Sequence, residues 1–233
     1  MAKNPVKRKE RNPVRKVVTP RTTKSVYLMP SRKNERSVGG ASLAEHVLQI
    51  LHEVDNTVQS YFEQPETIKW RDKAGVKHTH TPDLESIDND KRKYLYEVKP
   101  DGKVESFRER TEILTEQLAA KGVIYSIRES GEILLEPRRT NALTLWDACN
   151  PWVVPNEHLP MAVSLAFDQR NPRTFGELLE IVDSFVNDPD ELLQLAATGR
   201  FSIDIVTCRL GSNSPVSASP IYPCAIKIEK EVM

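Results

Sequence analysis

Two carboxylates and an amine, spaced across a single stretch, are the residues of this chain best placed to do chemistry. From Thr81 to Lys99 the chain reads Thr81-Pro82-Asp83-Leu84-Glu85-Ser86-Ile87, then a polar turn at Asp88-Asn89-Asp90-Lys91-Arg92, then Tyr94-Leu95-Tyr96-Glu97-Val98-Lys99. Two short strand-like runs joined by turn residues predict a β-hairpin. Side chains alternate faces along a strand, so Leu95, Glu97 and Lys99 share one side while Tyr94, Tyr96 and Val98 share the other. Glu97 and Lys99 then stand about 7 Å apart along the backbone. In the register that the turn favours, Asp83 sits beside Glu97. Two carboxylates held that close repel unless a cation lies between them, and hard oxygen ligands suit Mg²⁺, with Mn²⁺ as its substitute. Lys99 would adjoin the water or the scissile phosphate. The ordinary alternative is a surface hairpin carrying an exposed Glu97/Lys99 pair, which is nearly neutral energetically.

Such a site needs elements to hold it. Ser42 is a helix N-cap with Glu45 in the capping-box position, and Leu43, Val47, Leu48, Ile50, Leu51 and Val54 follow at helical spacing, which predicts an amphipathic helix over 42–54. Glu45 points away from the centre of that apolar stripe. It is either a capping glutamate or, if the helix start overlooks the sheet edge, a third acidic ligand. Val58 to Gln64 and Glu66 to Trp70 read as strands broken at Pro65, and Asp72-Lys73-Ala74-Gly75 as a turn. His78-Thr79-His80 is an alternating pair on the strand that follows, read as strand polar residues rather than ligands. Val104 to Ala120 predicts a long helix stopped by Gly122, with Phe107, Ile113, Leu114 and Leu118 for its buried side. Val123 to Ile127 predicts a strand added by a crossover, and Ile133 to Leu135 a further short strand. A helix runs from Arg138-Arg139 to about Asp147. The order of elements is that of an α/β fold, a mixed sheet flanked by helices.

The chain's 233 residues are 28% charged and 39% hydrophobic, as in a globular protein. Its formal net charge of zero conceals an asymmetry, because residues 1–40 hold twelve Lys and Arg against Glu10 and Glu35. A basic arm over 1–40 on an acidic body suits a polyanionic partner, since clustered cations gain from releasing counterions. Pro5, Pro13 and Pro20 exclude an amphipathic presequence. No apolar run of membrane-spanning length occurs, which predicts a soluble intracellular protein without membrane contact. Cys149, Cys208 and Cys224 are widely separated, so neither a disulfide framework nor a zinc knuckle is indicated.

Beyond residue 150 the composition changes. Asn150-Pro151-Trp152, Pro155 and Pro160 predict a linker, Thr174 caps a helix to about Val186, and Asp188-Pro189 opens another through Ala197 that Gly199 closes. Phe201 to Val206 reads as a strand. Residues 151–210 thus outline a small, mostly helical, winged-helix-like domain after a larger α/β domain over 41–150, and 211–233 reads as flexible linker and tail.

Taken in order, Pro30-Ser31-Arg32-Lys33-Asn34, Ser42-Leu43-Ala44-Glu45, Val58 to Gln64-Pro65, Thr81-Pro82-Asp83, Glu97-Val98-Lys99-Pro100, the Gly122 helix-to-strand step, and Leu193, Gly199, Phe201 and Asp204 resemble the TnsA family. TnsA proteins are the endonuclease subunits of heteromeric cut-and-paste transposases, similar in fold and site to type II restriction enzymes. The resemblance covers about residues 25–215 and implies a restriction-endonuclease-like fold. It implies that Glu45, Asp83 and Glu97 hold metal, that Val98 lends its backbone carbonyl, and that Lys99 orients or deprotonates the attacking water. Ala41 and Ala44 depart from the family's usual Glu and larger aliphatic residue. The partners implied are double-stranded DNA at transposon ends, a transposase subunit resembling TnsB, and an AAA+ regulator resembling TnsC that contacts the C-terminal domain. The setting implied is the bacterial cytoplasm, at the nucleoid. A catalytically silent adaptor with the same fold and a stand-alone restriction-type endonuclease are the alternatives.

Overall fold

The computed structural model describes residues 27–149 and 156–218, with Pro13 alone before them. The rest of the expected basic arm up to residue 26, the Asn150 to Pro155 linker and the tail beyond 218 lie outside the described residues.

A four-stranded mixed sheet, ordered β3-β6-β7-β8, forms the centre. β3 (Val58–Glu63), β6 (Leu84–Asp88) and β7 (Lys93–Lys99) run antiparallel to their neighbours. β8 (Val123–Glu129) lies parallel to β7, reached by a crossover through a 3₁₀ turn at Val104–Phe107 and α2 (Arg108–Ala119). The alternation read from the sequence sets the two faces. Leu95 packs with Ile68, Leu114, Leu118 and Tyr125 on the α2 side, whereas Tyr94, Tyr96 and Val98 meet the larger core.

α1 (Leu43–Val54) crosses that second face. Its start is fixed as expected, the Ser42 hydroxyl accepting the Glu45 amide at 3.2 Å. Val47, Leu48, Ile50, Leu51 and Val54 are buried, while Leu43, expected on the same stripe, is exposed at the helix's first turn. Truncating a fully buried leucine such as Leu51 to alanine would cost about 3 kcal/mol, from lost apolar burial and the void left behind.

The far end of α1 is locked by a hairpin of β1 (Tyr27–Ser31) and β2 (Arg36–Gly40). Its turn is Arg32 to Glu35, overlapping the Pro30 to Asn34 stretch. Glu53, almost wholly buried, accepts from the Ser31 hydroxyl at 2.6 Å, the Arg32 amide at 2.9 Å, the Lys33 amide at 3.2 Å and the Tyr61 hydroxyl at 2.9 Å. Lys33 Nζ donates to the carbonyls of His52, Asp55 and Val58, satisfying acceptors that the helix end leaves open. Arg36 grips Glu63 of β3 through two bonds of 2.6 Å. Residues 27–40 are therefore part of the folded body rather than of a free arm, because Met29 and Val38 have apolar side chains to bury there.

A second hairpin, β4 (Ile68–Arg71) and β5 (Lys77–His80), stands beside α2 as its own two-stranded ribbon. The expected strand at Ile133 to Leu135 is instead the end of a single helical turn, α3 (Ser130–Ile133), with the Leu134 amide bonded to the Ser130 carbonyl at 2.9 Å. Ile133 is buried against the core, and Asp101 accepts the Gly131 amide at 2.6 Å, so the chain turns sharply after β8 instead of extending.

α4 (Arg138–Ala148) follows, then α5 (Leu159–Gln169), α6 (Phe175–Val182) and α7 (Pro189–Ala197). α5 begins inside the segment read as linker, with Pro160 at the start of the helix, where the missing N–H has no intrahelical role. The strand expected over Phe201 to Val206 shortens to β9 (Ser202–Ile203), paired with β10 (Val216–Ser217). Residues 211–218 are accordingly not a loose linker. The amides of Phe175 and Gly176 bond to the carbonyls of Ser214 and Ser212 at 2.8 Å each, and Ser214 is fully buried. The apolar core runs unbroken from Met29 through Leu145 to Val216, across the expected domain boundary at 150. No helix among the described residues is long and apolar enough to cross a membrane.

Candidate active site

The β6–β7 register pairs Leu84 with Tyr96, so Asp83, one residue earlier, stands across from Glu97. The Asp83 backbone is held from both sides, its amide donating to the Tyr96 carbonyl at 2.9 Å and its carbonyl accepting the Gln64 amide at 3.0 Å. Its side chain accepts the Val98 amide at 2.8 Å. The hairpin thus brings the two expected carboxylates to the same end of the sheet.

Glu97 is ringed by cationic groups. Lys99 Nζ contacts its Oε1, and Arg110 Nη2 of α2 lies 3.4 Å from the same oxygen. His80 Nε2, at the end of β5, lies 2.7 Å from Oε2. Lys99 and Arg110 both rest on the Phe107 ring, at 4.9 and 4.6 Å from its centre. Tyr125 of β8 reaches His80 at 3.3 Å.

Glu45 comes from the N-terminal end of α1. Its carboxylate accepts the Ala41 amide at 3.0 Å and the Ser42 hydroxyl at 3.1 Å, as a capping glutamate does, and its charge also bears on Asp83.

These surroundings push the two central carboxylates apart. Burial first, then the charges of Glu97 and Glu45, raise Asp83 to about 8, and the Val98 amide and Lys99 only partly oppose them. Burial also acts upward on Glu97, but His80 and Lys99 more than offset it and hold Glu97 below the usual carboxylate range. Asp83 therefore carries a proton at neutral pH unless a cation takes its place. A half-buried, under-compensated carboxylate facing a second carboxylate offers oxygen donors of the kind that suit a hard divalent ion such as Mg²⁺. Among the described residues no group of three or more His, Cys, Asp and Glu is arranged to hold a metal ion, so Glu45 does not join Asp83 and Glu97 in a three-carboxylate site. An open pair suits Mg²⁺, which keeps several of its waters and takes only one or two carboxylates.

Residues 55–130 match the family model described as TnsA-like endonuclease N terminal. Residues 55–130 are thus similar to the N-terminal domain of TnsA-like endonucleases. No curated protein matches the chain. The matched segment contains Asp83, Glu97, Val98 and Lys99, whereas Glu45 precedes it. The mixed sheet flanked by helices is the restriction-endonuclease-like arrangement of that TnsA-like domain.

Of the residues singled out in the sequence, Asp83, Glu97 and Lys99 meet at one end of the sheet, Val98 supplies an amide to Asp83, and Glu45 approaches from α1. The sequence reading set His80 aside, passed over Arg110 and Tyr125, and gave Phe107 to the buried side of a helix, whereas it is half-buried in the 3₁₀ turn beneath Lys99 and Arg110. The alternation His78-Thr79-His80 carried a usable signal for His80. Arg110 carried none, since a lone arginine one turn after an aromatic residue occurs on many helices.

Proposed function

We propose that the protein is a Mg²⁺-dependent endodeoxyribonuclease that hydrolyses phosphodiester bonds on the 5′ strands at transposon ends during cut-and-paste transposition. The observation that carries this reading is Asp83 facing Glu97, with Lys99 against Glu97, inside the TnsA-like domain. Asp83 and Glu97 would hold the ion, with the Val98 carbonyl as a further donor. The bound cation supplies the charge neutralisation that an anionic phosphodiester needs before a nucleophile can approach.

The chain's own groups do the remaining work. Asp83, whose raised pKa makes it hold a proton near neutrality, would have to give that proton up to serve as a ligand, so binding of an ion there would be coupled to proton release. His80 and Arg110 keep Glu97 ionised and fixed in direction. Lys99, steadied on the Phe107 ring, orients the attacking water, with deprotonation of that water as its further role. Ser42 and the Ala41 amide hold the Glu45 carboxylate at the start of α1.

The partners in this reading are duplex DNA, a transposase resembling TnsB that cuts and joins the 3′ strands, and an AAA+ regulator resembling TnsC that docks on the C-terminal part. The setting is the bacterial nucleoid. Incubating transposon-end duplex and Mg²⁺ with the protein, alone and with its transposase, tests the proposal. Cleavage of the 5′ strand that requires the transposase, and that Lys99→Ala and Asp83→Ala abolish, is the expected result. Cutting by the protein alone identifies a stand-alone nuclease. Cutting that survives Lys99→Ala overturns the assigned site, and a transposition reaction indifferent to both substitutions identifies a silent adaptor.

A further inference from the structure

The β4–β5 ribbon has two unlike faces. Strand pairing sets Lys69 against Thr79 and Arg71 against Lys77, while Ile68 pairs with His80 and Trp70 with His78. Alternation sends these sets to opposite sides. The inner side is anchored: Ile68 is buried with Leu114 and Leu118, Trp70 stacks on His78 at 4.6 Å, and His80 touches Glu97. On the outer side Lys69, Arg71, Lys77 and Thr79 are all exposed.

Among the described residues no carboxylate forms a salt bridge with Lys69, Arg71 or Lys77, although acidic groups stand close by. Each of those is engaged elsewhere: Asp72 with His78 at 2.8 Å, Glu66 with Lys93 at 3.1 Å, Glu112 with Lys73 at 3.7 Å, and Glu109 with the Lys73 amide at 3.0 Å. Arg71 donates only to the Gly75 carbonyl of its own turn, at 3.0 Å, which leaves other guanidinium N–H groups available. Solvated cations on a structured ribbon, uncompensated and of one sign, match a polyanion, and a two-stranded ribbon is narrow enough to track a DNA groove.

Its position supplies the scale. Three strand residues separate His80, which abuts Glu97, from Lys77, a span of about 10 Å and so about three base pairs of duplex at 3.4 Å each. We propose that the outer face of this ribbon, with Lys69 beside Thr79 and with Arg71 and Lys77 farther out, seats the DNA phosphate backbone within about one to three base pairs of the bond to be cut. The inference rests on the nuclease reading and adds where the duplex lies. Because His80 joins the ribbon to Glu97, the same element that holds the backbone also steadies the candidate metal ligand.

The test is the salt dependence of duplex binding by the full chain, in chelator so that nothing is cut. Each phosphate contact contributes about 0.9 to the slope of log affinity against log salt. Lys69→Gln/Arg71→Gln/Lys77→Gln should lower that slope by roughly two to three. Lys121→Gln/Arg170→Gln/Arg209→Gln, equally exposed cations elsewhere, should leave it unchanged. A ribbon variant that keeps the full slope, or a control triple that loses as much, overturns the assignment of the ribbon while leaving the nuclease reading standing. A wild-type chain that does not bind duplex at all overturns the assignment of the ribbon, and the nuclease reading is then decided by end cleavage in the presence of the transposase. An acidic protein as the ribbon's partner would show as an unchanged duplex slope.

Discussion

The chain holds two carboxylates close to α1 away from bulk water, Glu53 fully buried and Asp83 half-buried, and it treats them in opposite ways. At the end of the helix, Glu53 meets four donors and Lys33 closes the carbonyls around it. Near the start, Asp83 has one backbone amide and two like-charged neighbours, and its pKa rises to about 8. A buried carboxylate whose lone pairs are all used is a fastener. One left short of positive charge is a place prepared for something else, and it withholds stability from the fold until that arrives.

The largest test of this contrast is catalytic. Lys99→Ala should lower end cleavage by about a thousandfold or more with duplex affinity kept within about twofold, since a water-orienting group is missed in the transition state and not in binding. Glu53→Gln should leave the rate per folded molecule unchanged.

Stability should then move in opposite directions. Glu53→Ala removes one partner of a buried network and should destabilise by about 3 kcal/mol in urea unfolding. Asp83→Asn removes an ill-compensated acid and should stabilise the chelated protein by about 1–2 kcal/mol while abolishing cutting. Equal losses from both substitutions would dissolve the distinction.

The pH profile of the chelated protein sharpens it further. Asp83 has a folded pKa of about 8, above its unfolded value, so the native state holds a proton that the unfolded chain has released. Stability should fall as pH rises through the window from about 4 to 8, and that slope should vanish in Asp83→Asn. His52, fully buried beside Glu53, behaves inversely. Burial lowers it to about 4, so the unfolded chain binds the extra proton and stability should fall by up to about 3 kcal/mol as pH drops from about 6.5 to 4. Adding Mg²⁺ at pH 7 should release about one proton per chain, read as buffer-dependent heats in calorimetry.

The smallest effect concerns the cap. Ser42→Ala should cost about 1 kcal/mol, and because the same hydroxyl steadies Glu45, it should raise the Mg²⁺ concentration needed for half-maximal cutting more than it lowers the rate at saturation.

How much of this was legible in the residues follows from how local each signal is. The Asp83/Glu97 juxtaposition could be read directly, because a hairpin register fixes facing residues from turn chemistry alone. The Ser42 cap and the Pro189 and Gly199 boundaries of α7 were equally local, and each was found where the residues place it. What escaped depended on distant chain. Ile133 and Leu135 have strand-like composition, yet Ser130 to Ile133 is helical because Asp101, from another loop, grips Gly131, where a Cβ would lie 2.7 Å from Asp101 Oδ2. The 211–218 segment reads as linker from its serines, but its carbonyls finish the hydrogen bonding of the α6 start. Arg110 reaches Glu97 only because the crossover lays α2 over β7, a placement that no spacing in the sequence encodes.

α4 packs on α1 with one side and on α7 with another, and the Asn141 amide is spent on the Ile205 and Cys208 carbonyls at 2.9 and 2.7 Å. Arg32 and Asn56, from the front half of the molecule, donate to the Ala197 and Ala196 carbonyls at 3.2 and 2.8 Å. Ending the polypeptide near residue 149 would strip Ala142, Leu145 and Ala148 of their cover and leave those polar groups searching for water. A shortened expression product would therefore be sticky and poorly behaved, and an inactive one would say nothing about the chemistry of the intact molecule.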